Sequence, residues 1–141
     1  ALGAVAIGRG QKILGVRRFS KPRAHAVEFA PAIQNLCDEH GVAPSQVAMV
    51  FVSAGPGSFT GLRIGITAAR TLALATGVKV AALPTLEVIA QNALDAVERP
   101  LRVAVVLDAK RARVYTAGFV LKTDRYVGVD EPHGFARQAI G

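Results

Sequence analysis

The sequence contains one cysteine, Cys37, and no tryptophan, and aromatic residues make up 6% of its 141 positions. A single thiol excludes a disulfide within the chain and a zinc site built from several thiolates of one chain. A reducing compartment is the simplest reading, and the expected location is the cytoplasm. With so few rings, the core has to be built from Ala, Val, Leu and Ile. No apolar run approaches the roughly 20 residues that cross a bilayer as a helix. The longest strong run, Val47–Val52, has the length of a strand. The opening residues are small and apolar with no basic segment before them, so no secretory leader is expected and no membrane partner either. Acidic residues are also few: 10 against 17 Lys and Arg, a formal net charge of +7.

Just over half the residues (51%) are apolar, which excludes a disordered or low-complexity chain. The length fits one ordinary domain or part of a larger protein. The basic balance admits nucleic acid as a partner. Arg17, Arg18, Lys21 and Arg23 form one basic stretch, and Lys110, Arg111 and Arg113 form another. No aromatics are interleaved with them, which argues against base stacking of the single-strand kind. Two solvated turns and a phosphate-contacting face both fit these charges. The chain starts on Ala1–Gly8, which reads as a strand, without an initiator Met. It finishes on Gly134–Gly141, which reads as the start of a helix. The expectation is a piece of a longer protein.

Pattern along the chain is α/β. Residues 1–8 and 12–19 read as strands joined at Arg9-Gly10-Gln11, a hairpin signal. From Ala24 to His40 the period is helical, with Val27, Ile33, Leu36 and Cys37 near one face and Gly41 as its stop. Pro31 inside it predicts a kink or a split. Val47–Ala54 reads as a strand covered on both faces. A helix over Leu62–Thr76 ends at Gly77, and Val78–Ala82 is a strand. Thr85 to about Glu98 is a helix with Thr85 as its cap. Arg102–Leu107 and Arg113–Leu121 are strands around an Asp108–Ala112 turn. Alternation of this kind predicts helices layered on a mixed sheet. The restart at Arg99-Pro100 predicts a boundary there, giving units 1–98 and 99–141.

Between the third strand and the second helix lies Gly55-Pro56-Gly57-Ser58-Phe59-Thr60-Gly61. Glycines at such a junction let backbone amides and a positive helix end face an anion. The spacing departs from the Walker pattern, with no Lys-Ser/Thr pair, and from the dinucleotide fingerprint, with its third glycine one residue late. A tight packing turn and an anion-binding loop both fit. In the following helix Gly61 and Gly65 share a face. Glycine in a helix interior costs roughly 1 kcal/mol against Ala, so a close neighbour is expected there, either the sheet or a helix of another subunit.

The stretch Ser53–Gly65 closely resembles the signature of the bacterial TsaB family, also called YeaZ, with ten consecutive residues matching over Gly55–Ile64. Flanking segments agree. His25-x-x-x-Phe29-x-Pro31-x-Ile33 resembles the family's first helix, in which a Pro is usual. Val105–Tyr115 resembles its strand–Asp-Ala-Arg-Arg–strand hairpin. The family's opening strand ending in Asp-Thr-Ser has no counterpart here. The Ser and Glu that follow the helix-one His are Ala26 and Val27, with Glu28 one position late.

The resemblance implies a two-lobed ribonuclease-H-like fold of the actin-like ATPase (ASKHA) class, with an incomplete second lobe. It implies a non-catalytic subunit that pairs with TsaD, is joined by the ATPase TsaE, and forms homodimers when alone. That complex makes threonylcarbamoyladenosine beside the anticodon of tRNAs, so tRNA is an indirect partner. TsaD binds metal through a His-x-x-x-His pair. His25, His40 and His133 have no such spacing, so no metal ligands are assigned, and no catalytic residues either. No tightly bound cofactor is implied, but ATP or ADP at the interface with TsaD fits. The glycine loop, Gly55 to Gly61, is its candidate phosphate or nucleotide contact. Candidate interface residues are Val27, Ala30, Ile33 and Gln34 on the first helix, with Arg63, Gly65, Thr67, Arg70 and Thr71 on the second. His25 is read as bonding backbone at a helix start, Asp108 as a turn former, and Arg111 and Arg113 as candidate RNA contacts. The rivals are a metal-independent peptidase or nucleotide-hydrolysing member of the superfamily, with Ser53 or Ser58 near His25, and a direct basic RNA-binding module.

Overall fold

Alternating apolar and small residues around Gly10 fold the first segment into an antiparallel hairpin of β1 (Gly3–Arg9) and β2 (Lys12–Phe19). The computed structural model describes residues 3–19 and 25–129, without the side chains of residues 25–27. Gly10 takes φ of +59° at the turn, and a bulge interrupts the register after Ile7. Helix α1 (His25–Glu39) lies against both strands. Pro31 sits inside α1 without splitting it. Phe19, Ala32, Leu36 and Cys37 are buried where helix and hairpin meet, and the Phe19 and Phe29 rings stack at a tilt, 6.0 Å apart. Gly15 belongs to this contact. A methyl placed there would lie 2.9 Å from Leu36 Cδ2 and 2.5 Å from His40 Nε2, so only glycine admits the helix this closely. At the rim, Arg17 pairs with Glu39. Such an exposed ion pair contributes about 0–1 kcal/mol.

Strand β3 (Met49–Gly55) pairs with β4 (Lys79–Pro84), and α2 (Phe59–Thr76) connects them. Sequence reading covers β3 on both faces. In the structure the strand alternates instead: Val50 and Val52 are half-buried, whereas Met49 and Phe51 are exposed, Phe51 by 65%. The reason is that α2 covers one face only. Val52 Cγ2 lies 3.4 Å from where a side chain on Gly65 would begin, so the neighbour that Gly65 makes room for is the strand.

The remaining elements are α3 (Thr85–Ala90), β5 (Arg102–Lys110), β6 (Arg113–Lys122) and β7 (Arg125–Gly128). The last three form an antiparallel sheet in the order β5-β6-β7. Leu86 and Ala90 of α3 pack on Val105, Phe119 and Tyr126, flanked by Ile89, Val103, Leu107 and Tyr115. Gln91, at the end of α3, accepts from the Tyr126 amide at 3.0 Å and donates to the Tyr126 carbonyl at 2.9 Å. The Tyr126 hydroxyl donates to the Pro100 carbonyl at 2.7 Å.

Three further expectations change here. The helix predicted over residues 85–98 is α3 followed by a 3-10 turn over Gln91–Asp95, because Gln91 turns its amide to β7. Thr85 is not a cap. Pro84 occupies that position, and the Thr85 hydroxyl meets the Ser53 hydroxyl at 2.5 Å. The chain divides into Ala1–Val52 with Ser58–Ala82, and Ser53–Gly57 with Leu83–Gly141. The boundary therefore falls at Leu83 and not at residue 99, because α3 contributes its apolar face to the β5-β6-β7 core. The described strands hydrogen-bond as three separate sheets, of two, two and three strands; β1 and β3 each have a partner on one edge.

Candidate functional site

Helix α2 carries the densest set of candidate residues. It starts at Phe59 and not at Leu62, so Phe59, Thr60 and Gly61 belong to its first turn and not to a loop. Ser58 makes this start possible. It is the N-cap, in an extended conformation, and its hydroxyl accepts from the Gly61 amide at 3.4 Å. Gly77 closes the helix in the left-handed conformation, φ +73°, with its amide on the Ala73 carbonyl. The glycine stretch thus splits into the helix start and a short turn before it. In that turn Gly55 takes φ of +109°, a value that favours glycine, and the Gly55–Pro56 peptide is cis.

With the start at Phe59, the outward face of α2 reads Phe59, Arg63, Ile66, Thr67, Arg70 and Leu74, the spacing of one helical stripe. Phe59 is 74% and Leu74 88% exposed, and Ile66 is also exposed. The Arg63 guanidinium lies 5.4 Å over the Phe59 ring, a contact of about 0.5–1 kcal/mol at an exposed position. No acidic residue occurs anywhere on α2. An ordinary solvated face would mix charges of both signs; this one interleaves apolar and cationic side chains.

The predicted interface residues sort as follows. Arg63, Thr67, Arg70 and Thr71 are exposed on α2. Gly65 differs from them, since it faces β3 and not solvent. On α1, Ala30 and Gln34 are exposed and Ile33 is half-buried. Gln34 donates to Asp38 Oδ1 at 2.8 Å along the helix. The side chains of Val27 and His25 lie outside the described residues, as do Lys21, Arg23, His133 and the expected helix start at Gly134–Gly141. Ile66 and Leu74 were missed as surface candidates, and Phe59 was a candidate of the glycine loop and not of this helix face. The signal for them was present in the 4-3-4-4 spacing of 59, 63, 66, 70 and 74, which is legible once the helix begins at Phe59.

The Cys37 thiol and the Ser53 hydroxyl are engaged structurally. Burial pushes the Cys37 thiol above its ordinary value, and the neighbouring Asp38 carboxylate adds to this, so the sulfur stays protonated. Ser53 meets a threonine hydroxyl. Among the described residues, no group of three or more His, Cys, Asp or Glu is arranged to hold a metal ion. No described helix is long and apolar enough to cross a membrane.

At the β5–β6 turn, Lys110, Arg111 and Ala112 all have positive φ, +68°, +54° and +55°. Left-handed backbone costs a non-glycine residue about 1–2 kcal/mol. Asp108 clamps the turn as expected of a turn former: its carboxylate accepts from the Lys110 amide at 2.7 Å and the Lys110 ammonium at 3.1 Å. The amide first, then the ammonium, hold the Asp108 carboxyl below its ordinary value of 3.8. A depressed folded pKa means that the clamp supports the turn above the ordinary carboxylate range. It is lost as pH falls through the lower, folded value. The Lys110 amide shift in an NMR titration should therefore move with a midpoint under 3.8, and Asp108→Asn should flatten it. A midpoint at or above the ordinary value contradicts the clamp.

The family model described as "TsaD: tRNA N6-adenosine threonylcarbamoyltransferase" matches residues 14–130. The chain is 36% identical over 100 residues to the tRNA threonylcarbamoyladenosine biosynthesis protein TsaB of Bacillus subtilis (strain 168), covering 70% of this chain and 42% of that protein. It is 34% identical over 98 residues to the TsaB protein of Escherichia coli (strain K12), covering 70% and 42%. The structure of YeaZ from Pseudomonas aeruginosa superposes with a TM-score of 0.82 at 32% identity, over 92% of this chain and 60% of that one. The chain belongs to the TsaB (YeaZ) family. Its fold is accordingly that of the ribonuclease-H-like, actin-like class, of which these residues form part. The chain spans under half the length of the curated TsaB relatives it matches. In TsaB terms, the glycine stretch, α2 and the Asp108 hairpin are the segments through which the family signature was legible.

Proposed function

We propose that the chain is the non-catalytic, partner-binding part of the assembly that forms threonylcarbamoyladenosine beside the anticodon of tRNAs. The observation that carries this reading is the outward face of α2. It presents Phe59, Ile66 and Leu74 alternating with Arg63 and Arg70 along one stripe. An exposed face that interleaves apolar and cationic side chains, with no acidic residue to balance them, fits a docking surface that buries its apolar anchors against another protein. The occupant in this reading is TsaD, whose family model matches this chain; a second copy takes the same face when TsaD is absent. TsaE joins through TsaD, ATP or ADP binds at the interface with TsaD, and the site of action is the cytoplasm.

Size-exclusion chromatography with light scattering, on the chain alone and mixed with TsaD from the same organism, tests this directly. The expected result is a homodimer that converts to a one-to-one complex on mixing. A chain whose mass ignores TsaD overturns the proposal.

A further inference from the structure

The β5–β6 turn is where the backbone departs furthest from what its side chains favour, and the same residues carry charge. A two-residue hairpin turn of this hand usually holds Asn-Gly or Asp-Gly. Here its centre is Arg111-Ala112, with Lys110 also left-handed before it. Backbone held against preference is found where the surroundings determine it and function uses it. Asp108 fixes the base of the turn and occupies Lys110. Arg111 and Arg113, both exposed, have no carboxylate within ion-pair distance among the described residues. Two unpaired guanidiniums therefore stand on a locked turn.

We propose that this hairpin tip contacts RNA phosphates, with Arg111 and Arg113 as the contacting residues. The proposal rests on the reading above, that the chain serves tRNA modification. A guanidinium fork matches a phosphate with two parallel hydrogen bonds. The net charge of +7 favours a polyanion over the whole chain. An acidic protein surface fits less well. Docking sites on proteins centre on apolar and aromatic anchors, and Lys110-Arg111-Ala112-Arg113 offers none. The tip contacts phosphate and reads no base, since Lys110-Arg111-Ala112-Arg113 includes no ring to stack.

Binding of an unmodified tRNA transcript, followed by fluorescence anisotropy across a salt series, tests the tip. R111A/R113A should weaken binding about tenfold at low salt and flatten the slope of log K against log salt by about 2, one per lost phosphate contact. R9A/K12A removes the same charge from the β1–β2 turn and should change little. Equal losses in the two double variants mean diffuse charge and overturn the proposal. So does an R111A/R113A chain that keeps its tRNA affinity but loses TsaD. Both variants are also mixed with TsaD. A chain that binds TsaD and not tRNA refutes the tip alone; one that binds tRNA through the tip and ignores TsaD refutes the docking reading alone.

Discussion

Tyr126→Ala should destabilise the β5-β6-β7 unit by about 3–5 kcal/mol, the range for removing a large buried ring. Tyr126 has 0% exposure and touches the core made by Leu86, Ala90, Val105 and Phe119. The ring is not its only tie. Its hydroxyl holds the Pro100 carbonyl, and its backbone amide and carbonyl hold Gln91. Native stabilities are about 5–15 kcal/mol, so this loss leaves little margin. Tyr126→Phe keeps the ring and removes one hydrogen bond, and should cost about 1 kcal/mol. Urea denaturation followed by circular dichroism measures both. A Tyr126→Ala chain as stable as the parent contradicts the packing described. The ordering of the two variants separates ring burial from the hydroxyl.

Leu74→Asp should abolish association with TsaD, by at least about a hundredfold, while leaving the melting temperature where it is. Leu74 is 88% exposed in the chain, and exposed substitutions stay within about 0.5 kcal/mol of neutral. Once docked, the same position loses the 1.5–3 kcal/mol or so that burying a leucine contributes. It also takes an unpaired carboxylate out of water, which adds more. Val97→Asp, at a fully exposed apolar position outside α2, is the matched control. Titration calorimetry with TsaD, beside thermal melts of both variants, reads the two effects. Equal loss in the two variants removes α2 from the interface.

The sequence made some of this legible and hid the rest for physical reasons. Turns with glycine at positive φ, at Gly10, Gly41 and Gly77, could be placed because that conformation selects the residue. The β6–β7 turn was invisible for the converse reason. Thr123 takes φ of +55° there, a conformation that Thr does not announce, and so β7 and Tyr126 were missed. The run Val47–Ala54 reads as doubly covered because its composition is uniformly apolar. Coverage depends on what packs against it, which composition cannot encode. On α2, the glycines at 55, 57 and 61 drew Phe59 into a loop. The cap at Ser58 returns it to the helix and completes the exposed stripe. The family and fold were readable from residue identity, and the face of α2 needed only its correct first residue. The strained tip at Lys110–Ala112 needed backbone angles, because nothing in Lys-Arg-Ala marks it as left-handed.

The grip of Gln91 on Tyr126 has a consequence for how this protein behaves in a crowded solution. Among the described strands β7 is the outer one of its sheet, and an outer strand with free amides and carbonyls recruits strands from other molecules. The Gln91 side chain supplies one donor and one acceptor to Tyr126, as a neighbouring strand would. It blocks the edge at Tyr126 with an amide that cannot itself be extended into a further strand. Resistance to fibre-like association is thereby tied to whether a six-residue helix stays docked. Conditions that fray α3 should bring on aggregation before they unfold the sheet.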